Sequence, residues 1–159
     1  MIPIGSTAPL FSLRSKTKAA GLVDLSLAEH LRHAPVILFF FPFAFTKFCT
    51  KELQAPALKD YTKLGARLIG ISVDSPFAQY AWAQEHKIKV PLCSDLNHDT
   101  IRAYDLVMSN YDGIGDTSAR AVALIRLDGI LAYAQQTDHP DHLPDFFALK
   151  SALADLTDS

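Results

Sequence analysis

Apolar residues in this chain gather into short blocks of two kinds. Val36 to Phe41 is a continuous apolar run of strand length, the pattern of a central strand covered on both faces. Arg67 to Val73 is a second buried strand by the same criterion. Phe11-Ser12-Leu13, Leu22-Val23-Asp24-Leu25 and Val90-Pro91-Leu92 are shorter strand candidates, and the polar turn Lys16–Gly21 separates the first two. Arg120–Arg126 and Ile130–Ala134 bracket Leu127-Asp128-Gly129, which predicts a hairpin. Helical stretches fall between these blocks. Ser26 opens one through Arg32, and Lys47–Leu64 forms another, kinked at Pro56 and stopped by Gly65. Asp74-Ser75-Pro76 opens a third to about Lys87, Asp99–Leu106 is short, and Pro144–Leu156 is a closing amphipathic helix.

The order strand, helix, strand, helix requires parallel pairing with crossovers, and the late hairpin adds antiparallel strands. The expected class is α/β, with a mixed central β-sheet flanked by helices. This order fits a thioredoxin-like fold, although periodicity alone does not separate it from other small α/β sandwiches. No repeat, low-complexity tract or long linker interrupts residues 1–159, so one domain is expected.

Composition narrows the function classes. The chain is 49% hydrophobic and 20% charged, with a formal net charge of −2, which is ordinary for a globular protein and gives no basic patch for nucleic acid. The run Ala34–Phe45 is too short for a membrane span and is broken by Pro35 and Pro42. The opening residues show no basic and apolar export pattern, so a cytoplasmic location is expected. Two cysteines, Cys49 and Cys93, are too few for a disulfide framework.

The candidate chemistry lies in Pro-Phe-Ala-Phe-Thr-Lys-Phe-Cys-Thr-Lys-Glu, residues 42–52. Pro42 ends a buried strand, Thr46 is a good helix N-cap, and Cys49 falls three residues on, where a capping box would place Glu or Gln. The first turn of a helix presents unpaired N–H groups and the positive end of its dipole. Helix starts and neighbouring cations favour cysteine thiolates. An activated nucleophile is therefore expected at Cys49, with the Thr46 hydroxyl in reach of the sulfur or a bound oxygen. The competing reading of the same residue is a buried, inert thiol.

Pro42-x-x-x-Thr46-x-x-Cys49 after an apolar strand resembles the active-site signature of the peroxiredoxins. Other landmarks match the family in order over residues 4–134. They are Ile4-Gly5-Ser6-Thr7-Ala8-Pro9, then Gly70-Ile71-Ser72-Val73-Asp74 with Ser75-Pro76, then Pro91-Leu92-x-Ser94-Asp95. The last is Arg120-Ala121-Val122 leading to Asp128-Gly129-Ile130. The spacing is most similar to the short bacterial alkyl hydroperoxide reductase E group, usually classed as one-Cys. The resemblance implies a thiol-dependent peroxidase that reduces hydrogen peroxide and organic hydroperoxides through a sulfenic acid. It assigns the peroxidatic role to Cys49, peroxide hydrogen bonding to Thr46 and shielding of the pocket to Pro42. Arg120 is the best match for the family's active-site Arg, with Arg126 as a rival, and Glu52 would orient it. No cofactor is implied.

Several residues stay open. Cys93 is 93 − 49 = 44 positions after Cys49 and is either a buried strand thiol or an unusual resolving thiol. If the former, the reductant is external: a thioredoxin, a glutaredoxin-like protein or a low-molecular-weight thiol. Trp82 packs near the pocket or simply in the core. His30-x-x-His33 and His139-x-x-His142 have some ligand spacing, but their contexts argue against a metal site. The loop Ser109–Asp116 is expected to be a flexible connection beside the active site or a dimer contact. The aromatic segment ending in Phe43, Phe45 and Phe48 is too rich to bury completely, which suggests a homodimer. A redox sensor and a non-catalytic binding module remain as alternatives to the enzyme.

Overall fold

The computed structural model describes residues 1–158. Its centre is a seven-stranded mixed sheet. In chain order the strands are β1 (Ser12–Thr17), β2 (Gly21–Ser26), β3 (Val36–Phe40), β4 (Arg67–Ser72), β5 (Leu92–Ser94), β8 (Ala121–Ile125) and β9 (Leu131–Gln136). Their spatial order is β2-β1-β5-β4-β3-β8-β9. Strands β5, β4 and β3 are mutually parallel, and the flanking pairs are antiparallel. The mixed α/β sheet expected from the pattern is present, and the hydrophobic runs explain its middle. All five residues of β3 and all five of β8 are buried, as strands covered on both faces must be.

Helices cover both faces. Strand alternation sends Val36, Leu38 and Phe40 to one side, where they pack with residues of α1 (Leu27–Leu31) and α5 (Asp99–Ala103). Ile37, Phe39 and Phe41 face the other side. They meet α2 (Lys47–Leu53), α3 (Ala57–Lys63), α4 (Pro76–His86) and α6 (Phe146–Thr157). Gly70 in β4 lies at a close approach on this second face. A Cβ there would stand 2.5 Å from Leu92 Cδ2 and 3.3 Å from Leu53 Cδ1, so only glycine lets these layers meet without a shift.

Two expectations are corrected. The helix expected over Lys47–Leu64 is two helices, α2 and α3, separated at Gln54-Ala55-Pro56. Proline has no N–H to continue the ladder, and here the chain stops and restarts instead of bending. The loop expected at Ser109–Asp116 is part of a separate hairpin, β6 (Val107–Tyr111) with β7 (Gly115–Ser118). Asn110, Asp112 and Gly113 take positive φ at its tip, which Asn, Asp and Gly tolerate best. The Asp-Gly pair was the available hairpin signal.

Candidate active site

The end of β3 is held by bonds on both sides. The Pro42 carbonyl accepts from Thr117 Oγ1 at 2.6 Å, and the Ala44 N–H donates to Asp74 Oδ2 at 2.8 Å. Asp74 Oδ2 is itself fixed by a bond from Ser72 Oγ at 2.7 Å. Between these pins Phe45 takes φ of 65°, a left-handed conformation that costs a non-glycine residue about 1–2 kcal/mol. Such a residue persists only where its surroundings over-determine it.

Thr46 then starts α2, with its carbonyl accepting from the Thr50 N–H at 3.0 Å. The expected side-chain cap is absent: the Thr46 hydroxyl donates to the Phe43 carbonyl at 2.8 Å. Its hydrogen is thus committed to the loop, and its lone pairs are left to accept from a donor. Below it, Thr50 Oγ1 donates to the Thr46 carbonyl at 2.7 Å and accepts from Trp82 Nε1 at 3.1 Å. Trp82 is fully buried, with its ring 5.2 Å from that of Phe41. It is a core residue that braces the first turn of α2 and does not line the pocket.

Cys49 is the third residue of α2 and only 1% exposed. Glu52, one turn on, points the same way. Arg120 reaches both from across the sheet. The β3–β8 register opposes Phe40 to Ala121, so the residue before Ala121 arrives beside the end of β3. Arg120 Nη2 donates to Cys49 Sγ at 3.2 Å, Nη1 donates to Glu52 Oε2, and Nε donates to the Pro140 carbonyl at 2.9 Å. Arg126 lies at the other end of β8, exposed and paired with Asp128, which removes it from the site.

All three side chains are hidden, with Glu52 0% and Arg120 2% exposed. Burial pushes the Glu52 carboxyl up to about 7, even though the charge and hydrogen bond of Arg120 pull the other way. Its Oε1 has no hydrogen-bond partner. Burial acts to lower the Arg120 pKa, but the negative charges of Glu52 and Cys49 outweigh it and raise the value. The guanidinium therefore stays charged beside the sulfur.

The sulfur lies at the base of a cavity of about 230 Å³, lined by Pro42, Thr46, Lys47, Phe48, Tyr111, Arg120, Pro140 and Asp141. The five residues expected from the sequence thus converge: four line the cavity with Glu52 behind Arg120. Tyr111, Pro140 and Asp141 were not anticipated. Tyr111 arrives on the unforeseen β6–β7 hairpin, its ring 6.1 Å from that of Phe43. Pro140 lies between His139 and His142, whose rings are 5.5 Å apart. That turn supplies a carbonyl to Arg120, a use that no local motif announces. His30 bonds the Ser26 carbonyl at 2.9 Å.

A buried thiol hydrogen-bonded to a guanidinium, at the start of a helix in a thioredoxin-like sheet, defines the class of thiol peroxidases. Residues 4–134 match the model of the AhpC/TSA family. The chain is 30% identical over 146 residues to Peroxiredoxin-2 of Mus musculus, covering 86% of this chain and 71% of the mouse protein. It superposes with a TM-score of 0.79 on the peroxidoxin BcpB from Mycobacterium tuberculosis, at 25% identity and over 98% and 97% of the two chains. The reduced 2-Cys peroxiredoxin of Plasmodium vivax gives a TM-score of 0.83 at 23% identity, over 95% and 80% of the two chains. The chain belongs to the AhpC/TSA family: it is a peroxiredoxin, a thiol-dependent peroxidase with the thioredoxin-like fold.

Proposed function

We propose that Cys49 is the peroxidatic nucleophile and that Arg120, Thr46, Pro42 and Glu52 serve it. The observation that carries this reading is the 3.2 Å contact from Arg120 Nη2 to Cys49 Sγ at the base of the cavity. The thiolate attacks one peroxide oxygen. An S–O bond forms, the O–O bond breaks, and the leaving oxygen takes a proton and departs as water or an alcohol. Sulfur loses two electrons and becomes a sulfenic acid. Arg120 stabilises the charge that shifts from sulfur to the leaving oxygen, as a preorganised donor in a water-poor site. Thr46, with its own hydrogen given to Phe43, accepts the peroxide O–H. Pro42 walls the cavity against bulk water, and Glu52 fixes the plane of the guanidinium.

Cys93 does not complete the cycle in this reading. It is fully buried in β5 and packs with Val36, Leu38 and Phe40 on the sheet face opposite Cys49. An external thiol therefore reduces the sulfenic acid: a thioredoxin, a glutaredoxin-like protein or a low-molecular-weight thiol. We propose a one-Cys cycle in the cytoplasm; both cysteines are free thiols in the structure. Among the described residues no helix is long and apolar enough to cross a membrane. Phe45 is 52% exposed beside the site, and with the partly buried Phe43 and Phe48 it supports a homodimer contact. A monomeric sedimentation profile at micromolar concentration would remove the dimer.

The test is intact mass and peptide mapping after reduced protein meets one equivalent of hydrogen peroxide for under a second. The expected product carries one added oxygen on Cys49, with Cys93 free. A Cys49–Cys93 linkage would replace the one-Cys cycle by an intramolecular one, and an unmodified Cys49 would overturn the catalytic assignment.

A further inference from the structure

A second cavity, larger than the one at Cys49, lies elsewhere in the molecule. A groove of about 600 Å³ opens between α3 and the end of α4, above the first residues of β4 and the segment leading into β5. The β3–β4 register pairs Arg67 with Val36 at the start of β3, so this groove lies at the opposite end of the sheet from Cys49. The two cavities share no lining residue, and the packing of Leu53, Leu92 and Phe41 around Gly70 stands between them.

Its floor is apolar: Leu53, Leu58, Ala66, Leu68 and Val90. Each of these is at most 8% exposed. A recessed apolar floor of this kind suits the hydrocarbon part of a small ligand. The rim carries the cations Lys59, Arg67, Lys87 and Lys89, and no carboxylate lines the groove. Elsewhere Arg14, Arg32, Arg102, Arg126 and Lys150 each lie against an acidic side chain, while Lys16, Lys18, Lys47, Lys51 and Lys63 are without an ion pair among the described residues. None of the four rim cations has an ion pair among the described residues. Gln54 Nε2 donates to the His86 carbonyl at 2.8 Å and ties the wall that ends α2 to the wall that ends α4.

The geometry points to a binding site for a single-chain aliphatic carboxylate, its hydrocarbon tail on the leucine and valine floor and its carboxylate among the rim cations. The volume falls within the range of small-ligand pockets, roughly 300–1,000 Å³. The apolar contribution should grow with chain length, up to about fourfold in affinity per buried methylene. This site goes beyond the peroxidase reading and needs no peroxide.

The test is methyl NMR on the reduced full-length chain, titrated with decanoate, octanoate, acetate, decan-1-ol and decyltrimethylammonium. Decanoate should shift the methyls of Leu58, Leu68 and Val90 saturably and bind about tenfold tighter than octanoate. Acetate should not saturate, and the alcohol and the ammonium should bind at least tenfold more weakly than decanoate. Lys87→Glu with Lys89→Glu should weaken decanoate at least tenfold while the remaining spectrum stays folded, and the milder Lys87→Gln with Lys89→Gln should fall between. Equal binding of the alcohol or the ammonium would overturn the proposal. So would decanoate affinity that ignores the charge reversal, or shifts confined to residues around Cys49. Repeating the titration on Cys49→Ser separates this site from the peroxidase assignment: binding should persist where the nucleophile is gone.

Discussion

Cys49 and Cys93 are hidden to nearly the same degree, 1% and 0% exposed, yet their surroundings differ in kind. Around Cys49 are a guanidinium at 3.2 Å, a carboxylate held by that guanidinium, and a cavity to the outside. Around Cys93, among the described residues, the sulfur finds only the Gly70 carbonyl, at 3.7 Å, and a packed apolar layer. Burial pushes the Cys93 thiol well above its usual range, with Asp95 adding to the effect. A covered thiol is thus inert or poised according to what desolvates it. Apolar packing disfavours the anion, whereas a buried cation replaces the water that the anion gives up.

The sharpest way to break this contrast is to exchange the roles by mutation. Cys49→Ser should lower the peroxide reduction rate at least ~10³-fold, since the alcohol is a far weaker nucleophile; Cys93→Ala should leave the rate within about twofold. Stopped-flow peroxide consumption checks both, and comparable losses would end the distinction between the two sites. The next largest effect belongs to the guanidinium. Arg120→Met should cost ~10²–10³ in the second-order rate with peroxide, the scale of one preorganised donor in a dry site. If Arg120 acts only in packing, replacement by the uncharged methionine would leave that rate intact. Thr46→Val should cost ~10–10²-fold, because the valine has no lone pair for the peroxide O–H, and Thr46→Ser should recover most of the loss.

The smallest effect is a pH dependence. Burial raises Glu52 from its usual 4.5 to about 7. Between those values the folded chain keeps a proton that the unfolded chain has released. The Glu52 contribution to stability is therefore complete below about pH 4.5 and lost as the pH rises through about 7. Urea unfolding at a series of pH values should show wild-type stability declining over this window relative to Glu52→Gln. A constant difference between the two would mean that Glu52 does not change its protonation there. The same variant should lose only a few-fold in peroxide rate, since the amide oxygen still accepts from Arg120.

Much of this is legible in the sequence. Val36–Phe41 and Arg67–Val73 could be placed because a strand buried on both faces has no polar alternation to blur it. Thr46 and Cys49 could be placed because they are local, set by one strand end and one helix start. Arg120 was reachable only through the family resemblance, since 71 residues separate it from Cys49 and the pairing that brings it back is a property of the sheet. The Pro140 carbonyl was beyond reach, because every residue has one and nothing local marks which will be used. The missed hairpin is different. Its Asp112-Gly113 tip is in view, but β6 is mostly exposed and β7 (Gly-Asp-Thr-Ser) carries no apolar side chain, so the hydrophobic pattern is silent. Side-chain roles can mislead as well: Thr46 stands at the cap position while its hydroxyl bonds elsewhere.

The antiparallel register between β3 and β8 has a consequence for the order of events during folding. Helix α2 can form from neighbouring residues, but the guanidinium reaches the sulfur only after the sheet has closed over a long stretch of chain, and such non-local pairings form late. A nascent or partly unfolded chain therefore carries Cys49 without its cation. Its reactivity towards peroxide should emerge together with native structure, so that the chemistry itself reports whether β8 has docked.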